Sequence, residues 1–262
     1  KDRLTKEIEK NLALRVEDTE SPDTFMVFGR GILHLSILIE TMRREGYELS
    51  LGQPKVIIKE INGVKHEPVE YLTIDTPSDT VGKIIDQVTQ RKGVLEKMEH
   101  RADRVHMEFI VPSRGLIGLR TMVLNVSGGE AVMAHRIKDF EPFKGTVPGR
   151  INGVLIVMDA GISTGYAMDK LKDRGRFFID PGENVYSGQI VGEQIRPGDL
   201  VVNVTRPKHL TNMRASGSDD AIKLSPKIRF SLEEAMEYIE DDELVEVTPK
   251  SIRMRKMQLD EN

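Results

Sequence analysis

The sequence predicts an α+β fold in which two related α/β modules are followed by a β-rich domain with one helix. A motif that opens a helical stretch at Arg30-Gly31 recurs at Arg114-Gly115. In both places an extended apolar segment precedes the motif and a strand-like run follows the helix. After Pro142 the composition changes to glycines and short apolar runs, which is typical of β structure. The repeat and this change together predict three parts.

The first module shows the order helix, strand, strand, helix, strand. In its second helix Leu35, Leu38 and Met42 fall at helical spacing, and Gly46 follows as a stop signal. The pattern predicts a helix at 2–9, strands at 12–16 and 25–28, a helix at 31–45, and extended chain at 47–61.

The second module repeats this order with one additional strand at its start. The pattern predicts a strand at 69–74, a helix from 76 to a stop at 93, strands at 94–99 and 105–111, a helix at 113–127, and a strand at 130–137. Strand, helix, strand, strand, helix, strand is the order of the ferredoxin-like split βαβ unit. The first module then lacks its opening strand, and we expect the chain to begin inside that module.

The third part is predicted to be mainly β. Residues 145–205 are rich in glycine and short apolar runs. Ser231 and Glu234 have the spacing of a capping box before one helix, and residues 252–257 are predicted to form a final strand. The predicted domains are therefore 1–64, 65–144 and 145–262.

Composition limits the possible classes of function. The chain has 262 residues, a formal net charge of −4 and no cysteine, so disulfides, thiol catalysis and cysteine metal sites are excluded. No apolar run approaches the ~20 residues that span a bilayer, and the first residues carry no apolar signal region. These features predict a cytoplasmic protein without a membrane partner.

No motif predicts catalysis within this chain. The phosphate-binding sequence G-x-x-x-x-G-K-[ST] is absent, and Gly82-Lys83 is followed by isoleucine inside a predicted helix. His100, Asp103 and His106 are not fixed on one face, so a metal site is not expected. His34, beside the apolar face of its helix, is interpreted as a packed or capping histidine. The acidic run 233–243 is interpreted as a solvated face.

The strongest functional signal is a basic loop at 205–214. It contains three fixed cations, a histidine, hydroxyls and an amide, and no acidic residue. Arginine and lysine neutralise phosphates, and asparagine and threonine bind the 2′-hydroxyl or base edges of RNA. A second basic set lies near the C-terminus. The predicted RNA-binding residues are Arg206, Lys208, His209, Thr211, Asn212 and Arg214 in the loop, and Lys250, Arg253, Arg255 and Lys256 in the second set.

Several sequence stretches resemble parts of translational GTPases. Gly29-Arg30-Gly31-Ile32-Leu33-His34-Leu35 resembles domain III of elongation factor G. The positions Pro77, Gly82, 91–93 and 98–99, together with Val111-Pro112 and Gly118, resemble its domain V. The third part resembles instead the C-terminal domain of the BipA (TypA) family, through Asn152-Gly153-Val154-Leu155, Asp173-Arg174-Gly175, 186–192, Leu210-Thr211-Asn212-Met213-Arg214-Ala215-Ser216-Gly217 and 241–249.

The resemblance implies a ribosome-associated GTPase linked to large-subunit assembly and to translation under stress or cold. It implies that GTP and magnesium bind in an N-terminal domain absent here, and that this chain itself has no enzymatic part and no cofactor. It further implies contact of the loop around Arg206, Lys208, Asn212 and Arg214 with the large-subunit aminoacyl site, near the transfer RNA acceptor end. The Arg30-Gly31 helix and the turn at 91–100 would face ribosomal elements or the chain's own GTPase domain.

Two alternatives remain open from the residues alone. One is a protein-interaction module that uses the sheet edges of the α/β modules and has no RNA contact. The other is an independent enzyme that binds a small molecule, with the acidic run 233–243 or the histidines near 100 as its site. A rise in melting temperature with a metal or small molecule would indicate the enzyme.

Overall fold

The computed structural model describes residues 1–207 and 224–259 and divides into two compact units. Unit 1 contains residues 1–53 and the described residues from 152 onward, and unit 2 contains residues 54–151. Among the described residues, no helix is long and apolar enough to cross a bilayer.

The N-terminal part of unit 1 has the predicted order of elements. Its elements are α1 (Asp2–Lys10), β1 (Arg15–Asp18), β2 (Phe25–Phe28), α2 (Ile32–Arg44) and β3 (Leu49–Leu51). β1 and β2 form an antiparallel hairpin. Helix α2 buries Leu38 and Met42 against Leu4 of α1. It ends where Gly46 takes a φ of 97°, a conformation that favours glycine.

Unit 2 contains the complete second module. Its elements are β4 (Lys59–Ile61), β5 (Val64–Pro77), α3 (Val81–Gln90), β6 (Val94–Arg101), β7 (Arg104–Pro112), α4 (Ser113–Leu116), α5 (Leu119–Val126) and β8 (Val132–Pro142). The main strands lie side by side in the order β8, β5, β7, β6, and all neighbouring pairs are antiparallel. Both main helices pack through Ile84, Val88, Leu119 and Val123 onto a core that includes Leu72, Ile74, Met107 and Phe109. The ferredoxin-like prediction is thus confirmed for this module.

The predicted helix at 113–127 is interrupted in the structure. Gly118 takes a left-handed φ of 69° between α4 and α5, and Ile117 before it is extended. Because helical spacing continues across the break, the sequence pattern does not reveal it. The left-handed glycine is the physical reason for the difference.

The remaining chain forms the β-rich part of unit 1. Its elements are β9 (Val154–Val157), β10 (Gly161–Ile162), α6 (Gly165–Leu171), β11 (Gly175–Phe177), β12 (Asn184–Val185), β13 (Gln189–Gln194), β14 (Leu200–Val202), α7 (Leu232–Tyr238), β15 (Glu243–Val247) and β16 (Ile252–Lys256). The capping box of Ser231 and Glu234 at the start of α7 is present, as predicted. The predominance of β-strands and the final strand are also confirmed.

One seven-stranded sheet organises unit 1. Its strands follow the order β14, β9, β13, β16, β15, β3, with β11 paired to β13. One face packs through Ile190, Val245 and Met254 against α7 and α2. The other face packs through Leu155, Val157 and Val191 against α6. Strand β3 pairs with β15, so the N-terminal elements contribute directly to this sheet, an association that no sequence pattern indicates.

Candidate RNA-binding surface

The structure describes half of the predicted RNA-binding residues. Lys208, His209, Thr211, Asn212 and Arg214 lie outside the described residues, and the predicted contacts of the loop stay predictions. Arg206, Lys250, Arg253, Arg255 and Lys256 are described, and their surroundings decide how each can act.

The chain entering the basic loop is anchored in the fold. It leaves β14 through Val202 and Val204, which are buried in the core beside α6. Thr205 donates its backbone N–H and its hydroxyl to Asn203 Oδ1, both at 3.1 Å. The hydroxyl of Thr164 at the N-cap of α6 donates to the Arg206 carbonyl at 2.7 Å. The backbone of Arg206 is therefore fixed, and the residue is exposed to solvent.

The chain leaving the loop is anchored as well. Leu224 packs against the same core, and the backbone N–H of Ile228 donates to the Phe177 carbonyl at 2.9 Å. The Lys227 ammonium pairs with Asp180 at 2.8 Å and with Glu183 at 2.5 Å. Hydrogen bonds to these carboxylates raise the pKa of Lys227. Lys227 is thus engaged in holding the chain in place.

Arg253 and Arg255 lie on the same side of the sheet as the loop entrance. The register pairs Ile190 with Met254, whose side chains belong to the core under α7, so the arginines flanking Met254 point to the opposite face. That face carries α6, whose N-cap holds Arg206. The parallel pairing of β14 with β9 brings the end of β14 to the same end of the sheet as Arg255.

Arg255 is held in place by a network of hydrogen bonds. Its Nε donates to Glu246 Oε1 at 2.7 Å, and its Nη1 donates to the carbonyls of Lys256 at 2.9 Å and Met257 at 3.3 Å. The Tyr186 hydroxyl donates to the second oxygen of Glu246. Burial, followed by this hydrogen bond, raises the pKa of Tyr186, which therefore stays neutral and acts as a donor.

Arg253, unlike Arg255, is not held by a carboxylate of the described residues. It lies opposite Glu246 in the strand register, but both carboxylate oxygens of Glu246 already accept from Arg255 and Tyr186. Within residues 1–207 and 224–259, no carboxylate lies within ion-pair distance of Arg253. Arg206 and Arg253 are therefore two cations on this side of the sheet for which no carboxylate of the described residues lies within ion-pair distance.

Lys250 and Lys256 are not brought to this surface. Lys250 is exposed in the turn between β15 and β16, at the other end of β16 from Arg255, where Arg43 Nε donates to the Thr248 carbonyl at 2.8 Å. Lys256 pairs with Asp199 at 2.5 Å and with Asp242 and Glu243 at 2.9 Å.

Lys256 has a structural role that the sequence did not predict. Burial alone would lower its pKa, but hydrogen bonds to Asp199, Asp242 and Glu243 outweigh burial and raise it. Glu243 is fully buried, so Lys256 is the cation that neutralises this part of the acidic run. Glu234 from the same run caps α7. The run is therefore not a uniformly solvated face, although RNA contact by Lys256 stays a prediction.

His34, another residue singled out in the sequence, lies among hydrogen-bonding partners. His34 Nδ1 lies 3.2 Å from the backbone nitrogen of Arg30, which donates to it, and His34 Nε2 lies 2.8 Å from Asn11 Nδ2. This is the packed or capping role interpreted from the sequence. Among the described residues, no group of three or more His, Cys, Asp or Glu side chains is arranged to hold a metal ion.

Sequence reasoning missed Tyr186 as a member of this surface. Its hydroxyl reaches a glutamate 60 positions later in the chain. The single local signal is the turn at Tyr186-Ser187-Gly188. Gly188 has a φ of 79° there and lies against Leu259. A contact over such a separation has no periodicity in the sequence.

Comparisons with known proteins agree with the two halves of this architecture. Residues 152–261 match the TypA/BipA C-terminal domain, and residues 64–151 match the elongation factor G C-terminus. A large ribosomal subunit assembly factor BipA from Haemophilus influenzae is 50% identical over 263 aligned residues, which cover 100% of this chain. Proteins of the same name from Synechocystis and Escherichia coli K12 are each 48% identical, over 98% and 100% of this chain. This chain spans 43% of the length of each of these relatives.

Proposed function

This chain belongs to the TypA/BipA family, and from that premise we propose that it is the ribosome-binding C-terminal part of a GTPase acting in large ribosomal subunit assembly. In this proposal it contacts ribosomal RNA and the acceptor end of transfer RNA at the large-subunit aminoacyl site. The parent protein acts in the cytoplasm and supports translation under stress or cold.

The observation that carries the proposal is the basic side of the unit 1 sheet. Arg206 at the entrance of the loop and Arg253 on β16 are on the same side, and the loop sequence 205–214 contains no acidic residue. The overall charge of the chain is −4, so this concentration of cations does not follow from composition. A local cationic surface is what a phosphate backbone requires.

The mechanism is binding and positioning. Anchored stems at Thr205 and Ile228 present the loop from a rigid sheet, which suits recognition of a large partner. Arginine and lysine contact phosphates and fix the register, while Asn212 and Thr211 supply donors and acceptors for sugar or base edges. Arg255 is kept in position by Glu246 and adds a second arginine beside Arg253.

GTP hydrolysis belongs to the parent protein in this proposal. The phosphate-binding sequence G-x-x-x-x-G-K-[ST] does not occur in this chain. GTP and magnesium would bind in the GTPase domain that the relatives' greater length accommodates, and the α/β modules would couple RNA contact to that domain. The Arg30-Gly31 helix and the turn at 91–100 are the proposed contacts with this domain or with ribosomal elements.

Cosedimentation with purified large ribosomal subunits across a salt series tests the proposal. We expect binding that weakens with salt, because each phosphate contact releases counterions and contributes roughly −0.7 to −0.9 to the slope of log K against log salt. The charge-reversed variant Lys208→Glu/Arg214→Glu should bind more weakly and show a shallower slope, reduced by roughly one for each phosphate-binding side chain that the substitutions remove. Arg206→Glu and Arg253→Glu should act in the same direction.

A matched control separates local contact from net charge. Lys6→Glu/Lys10→Glu makes the same change in net charge on exposed positions of α1. We expect this control to bind as the unaltered chain does. Equal binding by the control and the loop variant at every salt concentration would refute RNA contact by the loop. Salt-insensitive binding would instead support the protein-interaction alternative.

A further inference from the structure

Unit 2 presents one face of its sheet to solvent. Helices α3 and α5 cover the face that carries Leu72 and Ile74. Residues on β5 that alternate with these, Tyr71 and Thr73, point to the other face. Tyr71 is 39% exposed there, an unusual position for a large aromatic side chain on a central strand. No packing partner from the helices explains it, because the helices lie on the opposite side.

An apolar row continues from Tyr71 across the sheet. The register places Ile110 of β7 directly opposite Tyr71, and Val94 of β6 directly opposite Ile110. Val94 is 51% exposed and Ile110 is partly buried. The row is one side chain wide and three strands long, which is suited to a flat ring rather than to another protein core.

Cations frame the aromatic end of this row. Arg136 of β8 lies opposite Tyr71 in the register, with its guanidinium carbon 4.9 Å from the centroid of the ring. The Lys138 ammonium lies 5.7 Å from the same centroid and also pairs with Glu141 at 2.7 Å. Among the described residues, no carboxylate lies within ion-pair distance of Arg136.

Acidic residues at the other end of this face are already neutralised. Asp75 pairs with Arg104 at 2.5 Å. Glu99 pairs with Lys97 at 2.6 Å and with Arg101 at 2.9 Å, and these contacts hold its pKa at about 2. The Asp75 and Glu99 carboxylates are therefore paired, whereas Glu108, which alternates with Ile110 on this face, lies 3.6 Å from His106. At the Tyr71 end Lys138 is already paired with Glu141, so Arg136 is the cation there with no described carboxylate within ion-pair distance. The combination of Tyr71 and Arg136 favours a ligand with a planar ring and a negative charge close to it.

We propose that the open face of unit 2 binds an unpaired RNA nucleotide, with its base stacked on Tyr71 and its phosphate paired with Arg136 and Lys138. Sheets with the same strand order bind single-stranded RNA by stacking bases on side chains of the two central strands, which here are β5 and β7. Arginine beside an aromatic ring adds both stacking and charge. The proposal rests on the proposed function only in taking RNA as the ligand.

Fluorescence anisotropy with a labelled single-stranded oligouridine of about ten nucleotides, within the usual site sizes, tests this site in the full chain. The measurement is made in the Lys208→Glu/Arg214→Glu background, so that the basic loop does not contribute. Tyr71→Ala should raise the Kd by about 5- to 150-fold, the range for loss of one stacked base. Tyr71→Phe should retain binding because it keeps the ring, and Arg136→Gln should weaken binding and flatten its salt dependence.

Tyr47→Ala is the matched control, because Tyr47 is a similarly exposed tyrosine, 43% accessible, in unit 1. It should bind as its parent does, and iodouridine crosslinking should label Tyr71. The proposal is overturned if the oligonucleotide does not bind, or if Tyr71→Ala binds as tightly as Tyr71→Phe. Ribosome binding by the basic loop is measured separately, so failure of this site leaves that result interpretable.

Discussion

The ion pair between Glu67 and Arg114 allows a quantitative test of how unit 2 is stabilised. The Glu67 side chain is 1% exposed and that of Arg114 is 17% exposed. Glu67 accepts two N–H groups from Arg114 and the backbone N–H of Lys144 at 2.7 Å. Arg114 also donates to the Gly145 carbonyl and lies 4.5 Å from the centroid of Phe143. The pair thus joins β5 to α4, and its bonds to Lys144 and Gly145 hold the segment that follows β8.

Arg114→Met removes the cation and leaves the buried carboxylate with one hydrogen bond. Breaking a buried pair in this way costs about 3–5 kcal/mol, because the remaining charge is desolvated and uncompensated. Glu67→Leu combined with Arg114→Met removes both charges, and such replacements are often close to neutral. We therefore expect the single variant to be less stable than the double variant.

Urea unfolding followed by circular dichroism gives the free energies, since the chain has no tryptophan to report by fluorescence. A chain with two units need not unfold in a single transition. Hydrogen exchange of peptides from β5 and β7 therefore assigns the loss of stability to unit 2. A loss below about 1 kcal/mol for Arg114→Met would place the pair with exposed ion pairs. That result, or a double variant as unstable as the single one, would refute the reasoning.

The two glycines of the repeated motif should differ in their response to alanine. A Cβ on Gly115 would lie 2.7 Å from the Arg91 carbonyl, so Gly115→Ala should lower the free energy of unfolding by about 1–3 kcal/mol. A Cβ on Gly31 would have no atom within 4 Å, so Gly31→Ala should change it by no more than about 0.5 kcal/mol. Thermal melts that show equal effects would contradict this. A second prediction concerns pH. The hydrogen bond to Glu70 raises the pKa of His135. Burial acts to raise the pKa of Glu70, but hydrogen bonds to His135 and Ser113 outweigh burial and lower it. The pair should therefore stabilise the fold most between about pH 4.5 and 6.5. Because the pair is partly exposed, His135→Gln should lower the free energy of unfolding by about 0.5 kcal/mol more at pH 5.5 than at pH 8. A difference in urea titrations that does not depend on pH would disprove this.

The repeated motif shows how far a sequence pattern can predict a role. Both copies open a helix, as their shared pattern predicts. Arg30 is exposed, and only its backbone N–H is tied to His34. Arg114 instead pairs with Glu67 of β5, 47 positions earlier in the chain. The helix start is encoded locally, but the partner of the arginine depends on which chain segments surround it.

For the candidate RNA-binding surface, local sequence accounts for the residue types and their alternation. Arg253 and Arg255 share one strand face because side chains alternate along any strand. The tertiary structure determines which cations are paired. Glu246, which also accepts from Tyr186, engages Arg255, and three carboxylates from two segments, Asp199 and the adjacent Asp242 and Glu243, surround Lys256.

For the fold, periodicity and turn residues predict most elements of both modules and the capping box of α7, because these depend on neighbours within a few positions, but they do not reveal the break at Gly118. Only the tertiary structure decided that β3 pairs with β15 and that Tyr71 is left on an open face. Strand partners and face exposure depend on contacts between residues far apart in the chain. Such contacts leave no local pattern, because their free energy comes from burial and pairing that exist only after the chain has folded.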